Sequence, residues 1–200
     1  AVTYGATSID KNLITNIPFD TNYSSRYPDK VTRRPHTLNN GPTLVTNDTT
    51  FNRCYSFDGT NDYVSIHGGV MREINKAVGE GNSGSSCELT VMLWMKASSS
   101  PTTSTYSKVF ILSNNIKFNW FHGNSSFLAA YEIGTFNGGS SYLRNVKYSG
   151  LSSKYTDWNH YCLTIKKVGT DLKVKIYLNG ELDTTPTTSG SNSSGTVTFS

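Results

Sequence analysis

The sequence predicts an all-β protein made of antiparallel sheets, and three observations carry that prediction. The first is rhythm. From Lys108 onward the runs "KVFILS", "IKFNWFHG", "SFLAAYEIG" and "YLRNVKYS" recur at a spacing of roughly ten residues, broken by Asn-Asn, Gly-Asn-Ser and Asn-Gly-Gly, the cadence of a meander. The second is composition. Of 200 residues only 16% are charged, while 26 are Ser, 25 Thr and 19 Asn, a polar, uncharged balance suited to strands joined by long surface loops. The third is "CELTVMLWMKA": Leu89, Val91, Leu93 and Met95 alternate with Thr90, Met92 and Trp94, so both faces are apolar in the middle and the strand is expected inside the sheet system.

Residues 1–11 lack periodicity and read as a lead-in. "NLITNIPFD" is a candidate strand with Leu13, Ile17 and Phe19 on one face, and Pro18 places it at an edge or bulge. A loop with Pro and Asn-Gly breakers follows, ending in short extended pieces at Thr37–Leu38 and Thr43–Val45. "CYSFDGTNDYVSIHG" then reads as a hairpin: Tyr55 and Phe57 lead in, Tyr63, Val64 and Ile66 lead out, and Asp58 to Asp62 supply the turn. Val70, Ile74 and Ala77 or Val78 share one helical face, with Gly79 as a stop. After the meander, "DWNHYCLTIKK" and "DLKVKIYLNG" form a strand pair joined by "VGT". In the second, Leu172, Val174, Ile176 and Leu178 face one way and Lys173, Lys175 and Tyr177 the other. Asn179-Gly180 turns the chain into a further strand, and "GTVTFS" closes it.

The same composition narrows the function. No run of apolar residues is long enough to span a bilayer as a helix, so membrane insertion is not expected. With Ala at position 1 and no signal-peptide pattern after it, the chain reads as a mature form or a cut fragment. The net charge is only +4. Its local concentration, "RYPDKVTRRPH" with Arg26, Lys30, Arg33 and Arg34 against Asp29, reads as a solvated loop or an anion-binding rim. Neither a basic helix nor ribonucleoprotein aromatics are present, so nucleic acid is not an expected partner. Cys54, Cys87 and Cys162 fit no zinc spacing and leave open one disulfide with a buried thiol, or three thiols. Sequons at Asn22, Asn47, Asn124 and Asn192 permit glycosylation, at about the frequency that chance gives in a chain so rich in Ser and Thr.

The pieces "IPFD", "YSFDGTNDYVSI", "LTVMLWMK", "DWNHYCLTI" and "LKVKIYLNGEL", in this order over about residues 12–199, resemble the laminin-G-like group of concanavalin A-like domains, which are related to pentraxins. The resemblance implies a two-sheet antiparallel jelly-roll sandwich forming one domain over residues 12–200. In that family a strand of Ile-Asp-Asp-Val-Arg type closes the sheet near the C-terminus, and nothing here matches it. The domain either lacks its last strand or has it supplied by another segment or chain, and an edge left open favours association by strand exchange, including homo-oligomers.

Related glucanases carry Glu-x-Asp-x-x-Glu, so that alternate carboxylates face one cleft. The nearest string, "ELDTTP", has Glu181 and Asp183 but Pro186 where the third carboxylate belongs. His36, His67, His122 and His160 share no ligand spacing, and no nucleophile elbow or phosphate loop occurs. No catalysis is expected. The family resemblance implies calcium as the one candidate cofactor, held by Asp58 and Asp62, whereas Asn114 and Asn115 lack the acidic neighbour of a pentraxin-style double site. For glycans, Trp120 with Phe118 and Tyr131, or Tyr142 with Tyr148, would stack on sugar rings. Lys173 and Lys175, with Lys166 and Lys167, would present ammonium groups to acidic sugars. Trp94 and Trp158 are expected in the core. The reading is a non-catalytic recognition domain, extracellular, cell-surface or on a virion surface, binding carbohydrate or a glycoprotein in lectin or adhesion fashion. The alternative is a structural or assembly subunit of a viral particle or extracellular appendage, joined through an open sheet edge.

Overall fold

The computed structural model describes residues 13–20, 26–77, 88–97, 107–112, 116–123, 126–133, 142–147, 156–168, 171–182 and 197–199. The chain divides into two compact units, residues 1–74 and 75–200.

In the first unit β1 (Arg26–Pro28), β2 (Pro35–Asn39) and β5 (Tyr63–Ser65) make an antiparallel sheet in the order β1-β2-β5, while β3 (Thr43–Asp48) and β4 (Asn52–Ser56) pair separately. The turns follow local chemistry. Asp48 accepts the Thr50 and Phe51 N–H groups at 2.9 and 3.0 Å and folds β3 back into β4. Arg33, in the left-handed region at φ 61°, closes the β1–β2 turn by donating its N–H to the Asp29 carbonyl at 2.9 Å.

Two expectations fail here. The stretch around residues 58–62 is not a hairpin: β4 pairs with β3 and β5 pairs with β2, so the turn carries the chain from one sheet to another. Asp58 folds these residues into a compact loop by accepting the N–H groups of Thr60, Asn61 and Asp62, which satisfies turn chemistry without aligning the flanking strands. Residues 13–20 join no ladder among the described residues. They are tied by Lys30 N–H donating to the Asn16 carbonyl at 3.1 Å and by Phe19, edge-on to Tyr55 and Phe57 with ring centroids 6.1 Å away in each case. Helix α1 (Gly68–Ala77) appears as its spacing predicts, with Val70 and Ile74 buried one turn apart. Gly79 lies outside the described residues.

Among the described residues the second unit holds two sheets. The meander forms as read, β7 (Ser107–Leu112), β8 (Ile116–Gly123), β9 (Ser126–Ile133) and β10 (Tyr142–Lys147) pairing antiparallel in chain order. The other sheet joins β6 (Glu88–Met95) to β11 (Asn159–Val168), then β12 (Asp171–Leu178) and β13 (Glu181–Leu182). Its apolar side buries Leu89, Tyr161, Leu163 and Leu178. Asn179 at φ 51° and Gly180 at φ 86° form the β12–β13 turn, the left-handed pair a two-residue hairpin requires.

β6 stands at the end of this sheet among the described strands, with Met92 and Trp94 54% and 51% exposed. The expectation of a strand covered on both faces, with Trp94 in the core, is thereby corrected. β14 (Val197–Phe199) lies parallel to Leu172–Val174 of β12. This pairing covers β12 there on the side away from β11.

Candidate functional site

Residues paired across an antiparallel ladder share a face, so the register of β6, β11 and β12 defines a surface. Trp94 pairs with His160. Met92, Cys162 and Tyr177 form the next row, then Thr90, Thr164 and Lys175, then Glu88, Lys166 and Lys173. The alternate positions Leu89, Leu163 and Tyr161 are buried, so the pleat turns this row set toward solvent. The Trp94 and His160 rings lie 5.2 Å apart, tilted by 51°. Just beyond, Lys96 holds its ammonium 5.1 Å from the centre of the half-buried Trp158 ring, a cation–π contact. At the other end Lys166 pairs with Glu88 at 3.4 Å, both exposed. Between them sits Cys162, whose thiol burial pushes up, leaving it protonated and weakly nucleophilic at neutral pH. Burial likewise raises the Tyr161 hydroxyl on the opposite face. The surface thus runs from an aromatic end to a charged end.

Of the residues expected to meet a glycan, Lys173 and Lys175 occupy positions on this face, as does Lys166. Lys167 pairs with Leu172 and belongs to the opposite face, which corrects its grouping with the other three. Trp120, Tyr131 and Tyr142 are brought together elsewhere. Trp120 pairs with Ala129, Tyr131 with Phe118 and Arg144, and Tyr142 with Ile133, so all three positions fall on one face of the meander sheet. Tyr148 lies outside the described residues. The aromatic and lysine candidates therefore sit on separate sheets. Trp94 was missed although a signal existed: its row runs Thr90, Met92, Trp94, Lys96 and ends polar at both ends, the mark of a half-exposed face.

Asp58 and Asp62 do meet in one exposed turn. Asp58 Oδ1 accepts the N–H groups of Thr60, Asn61 and Asp62 at 2.8, 3.1 and 3.3 Å, and Asp62 Oδ2 accepts the Asp58 N–H at 3.0 Å. The backbone hydrogen bonds, led by those from Thr60 and Asn61, hold the Asp58 carboxyl below the usual carboxylate range. A calcium ion would have one remaining oxygen of each carboxylate, fewer than the six to eight oxygens it gathers. No cluster of three or more His, Cys, Asp or Glu residues suited to a metal occurs among the described residues. Of the sequons, Asn47 is exposed on β3, while Asn22, Asn124 and Asn192 lie outside the described residues, as do Cys87 and Asp183.

The first unit contains a polar cluster that the sequence did not disclose. Asp29 and His36 are wholly buried. The Asp29 carboxylate accepts the Thr15 hydroxyl, the N–H groups of Val31 and Thr32 at 2.6 and 2.9 Å, and His36 Nε2 at 3.3 Å. Burial opposes its charge, but the hydrogen bonds from Thr15, Thr32, Val31 and His36 outweigh that and lower the carboxyl below its ordinary value. The "RYPDKVTRRPH" segment is thus a solvated loop only in part: its arginines Arg33 and Arg34 are exposed, while its Asp and His knit residues 13–20 to β2.

A model of the laminin G type within the concanavalin A-like lectin/glucanases superfamily matches residues 58–199. No curated protein and no solved structure matches the chain.

Proposed function

Since the chain belongs to the concanavalin A-like lectin/glucanases superfamily, in its laminin G branch, we propose that it is a non-catalytic recognition domain that binds carbohydrate or a glycoprotein partner outside the cell or on a particle surface. The observation that carries this reading is Trp94, half exposed on an open sheet face, with His160 against its ring and the lysine positions 166, 173 and 175 along the same face. An indole face desolvates the apolar side of a pyranose, and ammonium groups further along donate to hydroxyls or acids. The Asp58–Asp62 turn is the place proposed for calcium, and Asn47 is the sequon proposed to carry glycan.

The test is a glycan array probed with the purified chain, with and without calcium, beside its Trp94→Ala variant. The expected result is binding to a defined glycan class that the variant weakens by about thirtyfold, the scale of truncating an aromatic anchor. Loss of the signal on chelation would support Asp58 and Asp62. Binding that Trp94→Ala leaves intact would move the site off this face. A silent array, with a native mass that grows with concentration, would favour the assembly subunit.

A further inference from the structure

Helix α1 begins on two imidazole nitrogens. His67 stands at its N-cap: Nδ1 accepts the Gly69 N–H at 3.0 Å, and the His67 carbonyl accepts the N–H groups of Val70 and Met71 at 2.8 and 3.1 Å. The N–H of His67 is itself donated, at 3.1 Å, to Nδ1 of His36 on β2. In both bonds Nδ1 is the acceptor, a role that a ring nitrogen fills only while it carries no hydrogen. N-caps are ordinarily Asp, Asn, Ser or Thr, whose oxygens remain acceptors across the neutral range. Here an exposed ring and a wholly buried one do that work instead.

We propose that the start of helix α1 is a proton-sensitive cap, in which protonation of His67 and His36 at Nδ1 turns both acceptors into donors facing N–H groups and frees the first turn of the helix. The charges around the two rings set the direction. The first turn contains no acidic residue, and the Arg34 guanidinium lies against Gly69 so closely that a Cβ there would collide with it. New positive charge therefore accumulates at the helix end where cations are disfavoured. The Asp29 carboxylate faces Nε2 of His36 on the far side of the ring. It strengthens its hold on a protonated His36 while that ring gives up the His67 N–H. Acid thus detaches the helix start but leaves residues 13–20 and 29–32 fastened to Asp29. Val70, fully buried in the first turn, is the apolar group that opening uncovers.

Amide exchange of the full chain, followed by NMR and expressed as protection factors so that intrinsic pH effects cancel, tests this between about pH 7.5 and about pH 5, where imidazoles change charge. Protection at amides 67, 69, 70 and 71 is expected to fall by about fivefold to thirtyfold, the effect of one or two capping bonds. The amides of Thr50 and Phe51, held by the Asp48 carboxylate, should not change. In His67→Asn, which keeps an acceptor that does not titrate, the step at amide 69 should vanish while that at amide 67 remains. Adding His36→Asn should remove both. Flat protection in the unaltered chain would overturn the proposal. So would a step at amide 69 that survives His67→Asn, a readout on an exposed position that does not depend on the buried variant folding.

Discussion

Asp29 gathers four donors from three stretches of chain, and its removal tests how much of the first unit depends on one carboxylate. Asp29→Ala leaves the Thr15 hydroxyl, two backbone N–H groups and His36 without their acceptor. Stranded buried donors of this kind cost about 3 kcal/mol in all, which urea unfolding at neutral pH would measure. The pH dependence has a definite sign. Because the folded carboxyl titrates below its unfolded value, its contribution is complete above the unfolded pKa of about 3.9 and disappears as pH falls through the lower folded value. Asp29→Asn should flatten the stability profile in that acid window. No sequence pattern announced this residue, because its partners are gathered from 2 to 14 positions away and its neighbours are dominated by Lys30, Arg33 and Arg34. Asp58 was legible for the opposite reason: every N–H it accepts lies within four residues.

At the scale of elements, local order decided what could be read. The meander emerged intact since each strand pairs with its chain neighbour, and turn residues punctuate such ladders directly. The pairing of β6 with β11 spans the whole meander, so nothing local marks it, and β6 was consequently placed inside the sheet instead of at its described end. Turn chemistry alone also misled at residues 58–62, where a compact loop joins strands that never pair. The Asn179-Gly180 turn between β12 and β13 shows what a specifying turn adds. Asn179 Oδ1 accepts the His160 N–H at 2.8 Å, its Nδ2 donates to Asn159 Oδ1 at 2.9 Å, and its own N–H donates to the His160 carbonyl at 2.8 Å. The side chain therefore stitches the turn to β11. Asn179→Gly keeps the left-handed backbone and loses the two side-chain bonds, at a cost of about 2 kcal/mol. Asn179→Ala adds the left-handed penalty of about 1 kcal/mol more. Thermal unfolding of the two variants would separate these contributions, and equal losses would show that the side chain, not the backbone, sets the turn.

For the whole molecule, the order of motifs was enough to identify the superfamily, but not what lies along the outer side of β12. That matters for association. The outer side of β12 is covered at one end by β13, opposite Tyr177 and Leu178, and at the other by β14, opposite Leu172 to Val174. A strand edge so covered offers little ladder to a second copy, whereas an exposed one recruits it. The cover at β14 is three residues of parallel pairing, the less stable ladder type. Light scattering on the full chain should therefore give the monomer mass of 22.0 kDa at every concentration. A chain ending at Gly195 bares Leu172–Val174, and its mass should rise with concentration as copies pair along β12. If the full chain already grows in mass while the shortened one behaves identically, β14 does not govern association, and contact between copies must run through another edge. A monomeric full chain that assembles only when β14 is removed would instead make this strand the chain's own protection of its edge, with the Trp94 face left available to a ligand.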